Sequence, residues 1–535
     1  MQTPIDATLL SKHAIEILYE DDHFLVVNKP CGLPTHTPDG KTEGVAEILA
    51  RAGMGKLGIH QRLDAATSGV LAFSKSAQGA TRLAKAFELR NVKKTYHAIV
   101  CGIPKAPSGE WIHNLVHENG ITHESNSGKY AKLRYKLVGT VGPFGILEID
   151  LLTGFTHQIR AQAALMGYPI LGDSLYGGGS LFPRLCLHAQ RLLLKSEPNL
   201  PAFYAPLPKI LDKPKHADLF TPILSGAMDR LPSDSNLPDT EAIRLFAPQN
   251  SGIPEIIAER IGHVFFIRHI EPNAESLWNE RDLRLLLQCG IHVCHCSNAC
   301  YRVHESSSKR HVCKNFERAL KQDIPPFDAS ENGIFYRFDL SGNATGLYLD
   351  QRENRKWIAQ NASGNVLNLF AYTCAFSVCA ATNPNVVSTT SIDAAPAALK
   401  KGKENFELNG LSLNGNRFIK EDAIKYLKKC IQNNILFDTV ICDPPTFGRY
   451  EKTVFSLEEE LQNLLTLCCK VVAPHGKLLF SVNHRKIRLS KLRATCREAL
   501  RLAKQTPLTM ECLVLDDPNA ILGVGTDLKT LRLTF

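Results

Sequence analysis

The chain has 535 residues, 44% hydrophobic and 21% charged, an ordinary folded composition at a length that calls for two or three domains. Lys and Arg number 62 against 53 Asp and Glu, a net charge of +9, which permits a polyanionic partner and argues against a long acidic or disordered polymer. The excess is uneven, +5 over residues 1–220, −2 over 221–250 and +6 over 251–535, so two basic bodies flank an acidic joint.

In chain order, ILYEDDHFLVVNKP from Ile17 reads as strand, turn and strand, closed by Pro30. Short β-like runs (GVLAFS, KTYHAIV, GILEIDLL) then alternate with a helical stretch, SAQGATRLAKAFELR, whose apolar positions recur at three and four. Residues 221–248 show little periodicity and several Pro, Ser and Asp, the look of a linker. Beyond it AIRLF, GHVFFIRHI, ACYRVHE and NGIFYRFDL read as strands and EPNAESLWNERDLRLLLQCG as a helix. From residue 346, apolar runs (NVLNLFAYT, VVSTTSID, FDTVICDPP, GKLLFSV) alternate with helices (APAALKKGKENFELNG, SLEEELQNLLTLCCKVVA). That is the pattern of a mostly parallel, doubly wound sheet. The expected fold class is therefore multidomain α+β and α/β: a mixed-sheet domain over 1–220, a linker at 221–240, a small α+β domain at 241–345 and a doubly wound, Rossmann-like domain at 346–535.

Sixteen cysteines, of which only Cys31, Cys101 and Cys186 precede Cys289, are not the pattern of a small secreted disulfide scaffold. The N-terminus lacks a basic stretch followed by an apolar core, and no window reaches the run of about 18 apolar residues that a membrane span needs. The expectation is a cytoplasmic protein with reduced thiols and no membrane contact.

GIHQRLDAATSGVLAFSKS puts Asp64 ahead of Thr67-Ser68-Gly69, small residues that hold a tight turn and let a ligand come close. VKKTYHAIV (92–100), LLTGFTHQIRAQAALMGYPILGDSLYGGG (151–179) and RLCLHAQRLLL (184–194) follow. In this order the blocks resemble the HRLDxxTSG, KxYxAxV, GRTHQIR and PIxGDxxYG motifs of RluA-type pseudouridine synthases, across about residues 15–210. The resemblance implies a mixed-sheet catalytic domain that needs neither cofactor nor metal. It makes Asp64 the catalytic aspartate, which attacks uridine so that the base detaches and rejoins through carbon. It makes Arg160 the bidentate partner of that carboxylate, and Tyr96 the ring that stacks on the flipped base and aids proton transfer. Arg62, His157 and Gln158 stay open between the site and the orientation of neighbouring backbone. Two positions depart from the pattern: Gln61 stands where relatives usually have His, and Phe155 where they usually have Arg. The chain begins close to the catalytic domain, so the S4 RNA-binding module that many relatives carry is expected to be missing.

In NVLNLFAYTCAFSVCAA a strand ends at Asn368-Leu369-Phe370 and turns into a helix, a place where parallel sheets bind ligands. There is no GxGxxG, which disfavours a dinucleotide. The next strand ends at Asp393, suited to ribose hydroxyls, the following one near Asp422, suited to an adenine edge, and a fourth ends in Asp443-Pro444-Pro445 with Phe447. These elements resemble class I S-adenosylmethionine-dependent methyltransferases. TGLYLDQRENR, NLFAYTCAFSV, LNG at 408–410 and DPPTF narrow the likeness to the 23S rRNA methyltransferases of the RlmI and RlmK/RlmL group, over about residues 240–490.

By that resemblance Gln351, Arg352, Asn368, Phe370, Asp393, Asp422 and Asp443 are candidate cofactor contacts. Asp443, Pro444 and Phe447 form the catalytic turn, with an acceptor for a base nitrogen and an aromatic to stack on it. Methylation at carbon 5 of cytosine needs a covalent thiolate, and LLFSVNHRKI offers Ser481 and Asn483 instead, which favours a guanine nitrogen, N7 or N2. Cys374 stands where the group usually has Gly, at a point of close cofactor approach.

Residues 289–313 hold Cys289, His292, Cys294, His295, Cys296, Cys300, His304, His311 and Cys313. No CxxC pair is present, and an extended run would set Cys294 and Cys296 on one face beside His292, so packed thiols are preferred to a zinc site. The leading reading is a bifunctional enzyme that isomerises uridine and methylates guanine in 23S rRNA, without an obligate protein partner. The alternatives are one active half with the other retained for RNA binding, 5-methylcytosine as the methylated product, or a silent RNA-binding factor.

Overall fold

The computed structural model describes residues 6–37, 42–230, 240–271, 277–305, 312–314, 324–340, 345–450, 453–484, 486–514 and 528–535. They form two compact units. One comprises Met1–Ala227, Ala247–Ile256 and Glu271–Val293, the other Met228–Phe246, Ile257–Ile270 and Cys294–Phe535.

The first unit is built on an eleven-stranded mixed sheet with four central strands, β1 (Ser68–Ser74), β2 (Val92–Cys101), β3 (Phe144–Leu151) and β4 (Leu187–Leu194). From one edge the order is Glu16–Glu20, Phe24–Lys29, β1, β4, β2, β3, Lys129–Val141, Ser108–Glu118 and Ile121–Glu124. Among the described residues β1 and β4 are its parallel pair, joined at Ser68 and Gly69 to His188 and Ala189. Gly69 makes that approach possible. Its φ is +120°, and a Cβ there would lie 2.1 Å from the Ala189 carbonyl oxygen. All seven residues of β1 are buried, as a continuous apolar strand should be.

Helix α1 (Ala77–Glu88) is capped by Ser76, whose hydroxyl accepts from Gly79 N, and buries Gly79, Leu83 and Ala86 at the expected spacing. Helix α2 (Gln158–Leu165) follows THQIR, and α3 (His216–Asp229) and α4 (Glu280–Val293) complete the set needed here. Residues 221–229, read from sequence as linker, continue α3. Leu219, Phe220, Ile223, Leu224 and Ala227 form a buried helical stripe that outweighs Pro222. The remainder of that stretch, 231–239, lies outside the described residues.

In the second unit, strands Ala242–Phe246, Ile256–Ile261, Val264–Glu271, Asn298–Glu305 and Val312–Lys314 make a five-stranded sheet. Its buried Glu259 takes Arg244 at 3.1 Å and Arg268 at 2.9 Å. A hairpin, Phe327–Glu331 with Ile334–Phe338, turns on Asn332-Gly333, both at positive φ. The main sheet has seven strands: β5 (Gly364–Leu369), β6 (Val386–Asp393), β7 (Arg417–Lys420), β8 (Phe437–Cys442), β9 (Val472–Asn483), β10 (Thr509–Val514) and β11 (Leu528–Thr534). Their order is β7-β6-β5-β8-β9-β11-β10. The first five are parallel, and β11 is antiparallel to both its neighbours. Chain order reverses between β5 and β8, which creates the crevice where such sheets bind ligands. Helices α5 (Arg352–Asn361), α6 (Ala375–Ala381), α7 (Pro396–Leu408), α8 (Ala423–Gln432) and α9 (Leu457–Lys470) accompany the sheet.

The Cys/His run differs from the sequence expectation. Helix α4 extends through His292 and Val293, so Cys294 and Cys296 leave a helix end rather than sharing a strand face. Both thiols are buried, and burial pushes them up to about 12 and about 11. His311 and the side chains of His304 and Cys313 lie outside what is described. No described helix is long and apolar enough to cross a membrane.

Candidate active sites

Asp64 stands in the turn before β1, closed by Thr67 N donating to Asp64 O at 2.9 Å. The segment after Phe24–Lys29 staples this turn. Lys29 Nζ donates to Ala65 O at 3.0 Å, Gly32 N to the same oxygen at 2.8 Å, and Thr35 Oγ1 bonds both Leu63 N and Leu63 O. Lys29 is fully buried on carbonyls alone, also donating to Pro30 O and Leu33 O, and burial pushes its ammonium down to about 8.

Asp64 opens onto a cavity of about 580 Å³ shared with Tyr96, Arg160, His157, Gln158, Arg62, Lys94 and Phe155. The sequence-selected trio is thus brought together. Tyr96 projects from β2 with 7% exposure, and burial followed by the Asp64 charge pushes its hydroxyl pKa up. The Arg160 pairing differs from the expectation. Its fork grips Asp173, Nε to Oδ2 at 2.7 Å and Nη2 to Oδ1 at 2.8 Å, leaving Nη1 3.6 Å from Asp64 Oδ2. Asp173 is the buried acid of ILGDSLYG and also accepts from Leu175 N and Tyr176 N. It is a positioning residue that the sequence reading passed over, although its motif was in view. Gln61, where relatives usually have His, lines the cavity with a buried Nε2 that has no hydrogen-bond partner among the described residues.

The second cavity, about 450 Å³, lies at the carboxyl ends of β5, β6, β7 and β8. Gln351, Phe370, Asp393, Asp422, Asp443 and Pro444 line it, joined by Tyr348, Asp350, Tyr372, Glu421 and Asn483. Among the described residues five carboxylates and no Lys, Arg or His line it. Such a wall repels phosphate and suits a ligand carrying positive charge, so the donor set fits the cationic S-adenosylmethionine. Asp393 accepts Tyr372 N at 2.7 Å and Ala395 N at 2.8 Å, while burial raises its pKa. Asp422 caps α8 through Lys425 N at 2.8 Å.

Asp443 is the most elaborated acid. Its Oδ1 accepts Ser481 Oγ at 2.6 Å and Gln351 Nε2 at 2.7 Å. Asn354 Nδ2 in turn donates to Gln351 Oε1 at 2.7 Å and to Thr530 Oγ1 at 2.9 Å. Burial pushes Asp443 up to about 6, with the nearby Asp350 charge adding to it. Phe447, 69% exposed, opens the hairpin strand that follows Thr446.

Three candidates are not among the lining residues: Phe447, Asn368 and Arg352. Asn368 is buried and donates to Ser377 Oγ at 2.9 Å, and Arg352 donates to Asn332 Oδ1 from α5; neither lines the cavity. Cys374 does not crowd it either. At φ 59° its side chain turns toward Gly402 of α7, and burial pushes its thiol up to about 12.

Folds and cavities together define an enzyme with two catalytic domains of different chemistry. A model of the RNA pseudouridylate synthase family matches residues 23–165, and one of the S-adenosylmethionine-dependent methyltransferase family matches residues 295–517. An RNA pseudouridine synthase of Chlorobaculum parvum is 34% identical over 238 residues, covering 37% of this chain and 72% of that relative. Ribosomal large subunit pseudouridine synthase D of Pseudomonas aeruginosa is 32% identical, covering 34% of this chain and 63% of that one. Ribosomal RNA large subunit methyltransferase K/L of a Shewanella species is 36% identical over 164 residues, 30% of this chain but 23% of its own length. The crystal structure of SMU.776 in complex with SAH superposes at TM-score 0.50 and 23% identity, over 59% of this chain and 81% of that one, a likeness of fold. The chain belongs to the RNA pseudouridine synthases, and its C-terminal part carries an S-adenosylmethionine-dependent methyltransferase domain.

Proposed function

We propose that the chain is a bifunctional modifier of large-subunit (23S) ribosomal RNA, isomerising a uridine in the first cleft and methylating a guanine nitrogen in the second. The convergence of Asp64, Tyr96 and Arg160 on one cavity supports the first activity. In that reaction the Asp64 carboxylate bonds to C1′ as the C1′–N1 bond breaks, with the electron pair leaving on uracil. The base turns on Tyr96, C5 takes C1′ as the carboxylate departs, and the C5 proton passes to N1. The sum is an isomerisation without a co-reactant. Arg160, itself held by Asp173, sets its positive charge beside the carboxylate and helps to keep it in place.

For the second activity, bound S-adenosylmethionine supplies the methyl group. Asp393 offers an acceptor to ribose hydroxyls, Gln351 and Ser481 orient Asp443, and Phe447 offers its exposed ring to the target base. The observation favouring guanine over cytosine is that no thiol among the described residues lines this cavity and that Cys442 is buried in β8. The test uses purified protein and a large-subunit RNA transcript. Tritium release from 5-tritiated uridine and methyl incorporation from labelled S-adenosylmethionine are expected to be lost separately, the first in Asp64→Asn and the second in Asp443→Ala. Methylation that appears as 5-methylcytosine contradicts the guanine assignment.

A further inference from the structure

We infer that His157 is a positioning residue that, with Arg160, holds Asp64 by its Oδ2 and leaves Oδ1 as the oxygen that meets the sugar. The inference rests on the uridine-isomerising reading of this cleft. Both contacts converge on one atom: His157 Nε2 lies 3.8 Å and Arg160 Nη1 3.6 Å from Asp64 Oδ2. A free carboxylate exchanges its oxygens by rotation about its terminal torsion, which is broad and two-fold. Two groups gathered on one oxygen select one face of the carboxylate.

Each of the two groups is braced from behind. Arg160 is forked onto Asp173. His157 Nδ1 lies 3.1 Å from Tyr176 Oη, and its ring is edge-on to His117 at 5.5 Å and to Tyr176 at 5.7 Å. Tyr176 Oη accepts the Thr122 N–H at 2.7 Å, so its own proton is free to go to His157 Nδ1. That bond sets the tautomer, with the remaining N–H on Nε2, facing Asp64. Thr122 also ties the group down, its Oγ1 meeting His117 Nδ1 at 2.9 Å and donating to Thr156 O at 2.8 Å.

Burial lowers the His157 pKa, with Asp64 opposing and Arg160 and His117 reinforcing, so the N–H turned toward Asp64 belongs to a neutral ring. His157 adopts φ 55°, the left-handed region, directly ahead of α2. A left-handed backbone is strained for any side chain other than Gly, and here that strain accompanies a ring turned onto Asp64.

The test compares Gln, Asn and Leu at 157. Gln carries an amide N–H at the reach of Nε2. Asn is shorter, but tolerates the left-handed backbone better. Single-turnover tritium release from the 5-tritiated transcript is read beside RNA affinity by filter binding and thermal melting. His157→Gln is expected to stay within about 5-fold of the parent rate, while His157→Asn and His157→Leu fall about 10- to 100-fold with affinity and melting unchanged. Asn equal to or better than Gln, or a loss confined to RNA affinity, overturns the inference and leaves a backbone role. Asp64→Asn is the control. If it still releases tritium, the isomerase reading fails. If it is inactive and Gln and Asn are alike, this inference alone fails.

Discussion

At the scale of single residues, Asp443 has the clearest consequence. Its carboxyl is raised from 3.8 to about 6, burial first among the causes. As an acceptor it must be ionised, so methyl transfer is expected to fall about tenfold per pH unit below pH 6, read as kcat/KM on an RNA transcript. The stability sign is opposite to that of a salt-bridged acid. The folded state binds the proton more tightly than the unfolded state, so Asp443 costs stability increasingly as pH rises from about 4 through 6. Asp443→Asn is therefore expected to raise the melting temperature at pH 7.5, with the gain vanishing near pH 4 in parallel melting curves.

Cys374 and Gly402 are coupled in the same way that close neighbours usually are. A Cβ on Gly402 would lie 2.4 Å from Cys374 Sγ. Gly402→Ala alone is expected to cost on the order of 2 kcal/mol in urea unfolding, and Cys374→Gly in the same chain to recover most of it. That Asp64, Tyr96 and Arg160 share one cavity was legible because motifs name them. Asp173 was not, because an arginine's choice between two acids thirteen or more residues away is made by packing. Arg352 and Asn368 show the converse: motif positions whose side chains are spent on Asn332 and Ser377.

At the scale of elements, hydrophobic period located most of the sheet and helix segments, including β1, β2, β3, β5, β6, β8, α1, α7 and α9. It did not locate α3, whose Pro222 and Ser225 imitate a linker while Leu219, Phe220, Ile223 and Leu224 supply the buried stripe. Nor could periodicity give the order in which strands meet. The parallel contact of β1 with β4 joins residues 120 positions apart, Ser68 bonding His188 Nδ1 at 2.8 Å. Gly69 is where that contact is most exacting. Gly69→Ala is expected to destabilise the N-terminal unit by on the order of 3 kcal/mol and to abolish tritium release, since the Asp64 turn runs straight into β1. Near-native melting of that variant would show that the approach of the two strands is not tight.

At the scale of the whole molecule, the modest charge of +9 conceals two clefts of different character. The first gathers Arg62, Arg90, Lys94 and Arg160 around Asp64, a wall suited to a polyanion. Among the described residues the second is lined by carboxylates alone among charged groups, a wall suited to a cationic methyl donor. Calorimetry is accordingly expected to give S-adenosylmethionine binding that persists in Asp64→Asn and weakens at least tenfold in Asp393→Ala. The central claim, two base modifications from one chain, is tested most directly by mass spectrometry of ribosomal RNA from cells carrying Asp64→Asn or Asp443→Ala. The expected result is loss of one pseudouridine in the first and one methylguanine in the second, each with the other modification intact. An RNA unchanged by both substitutions contradicts it.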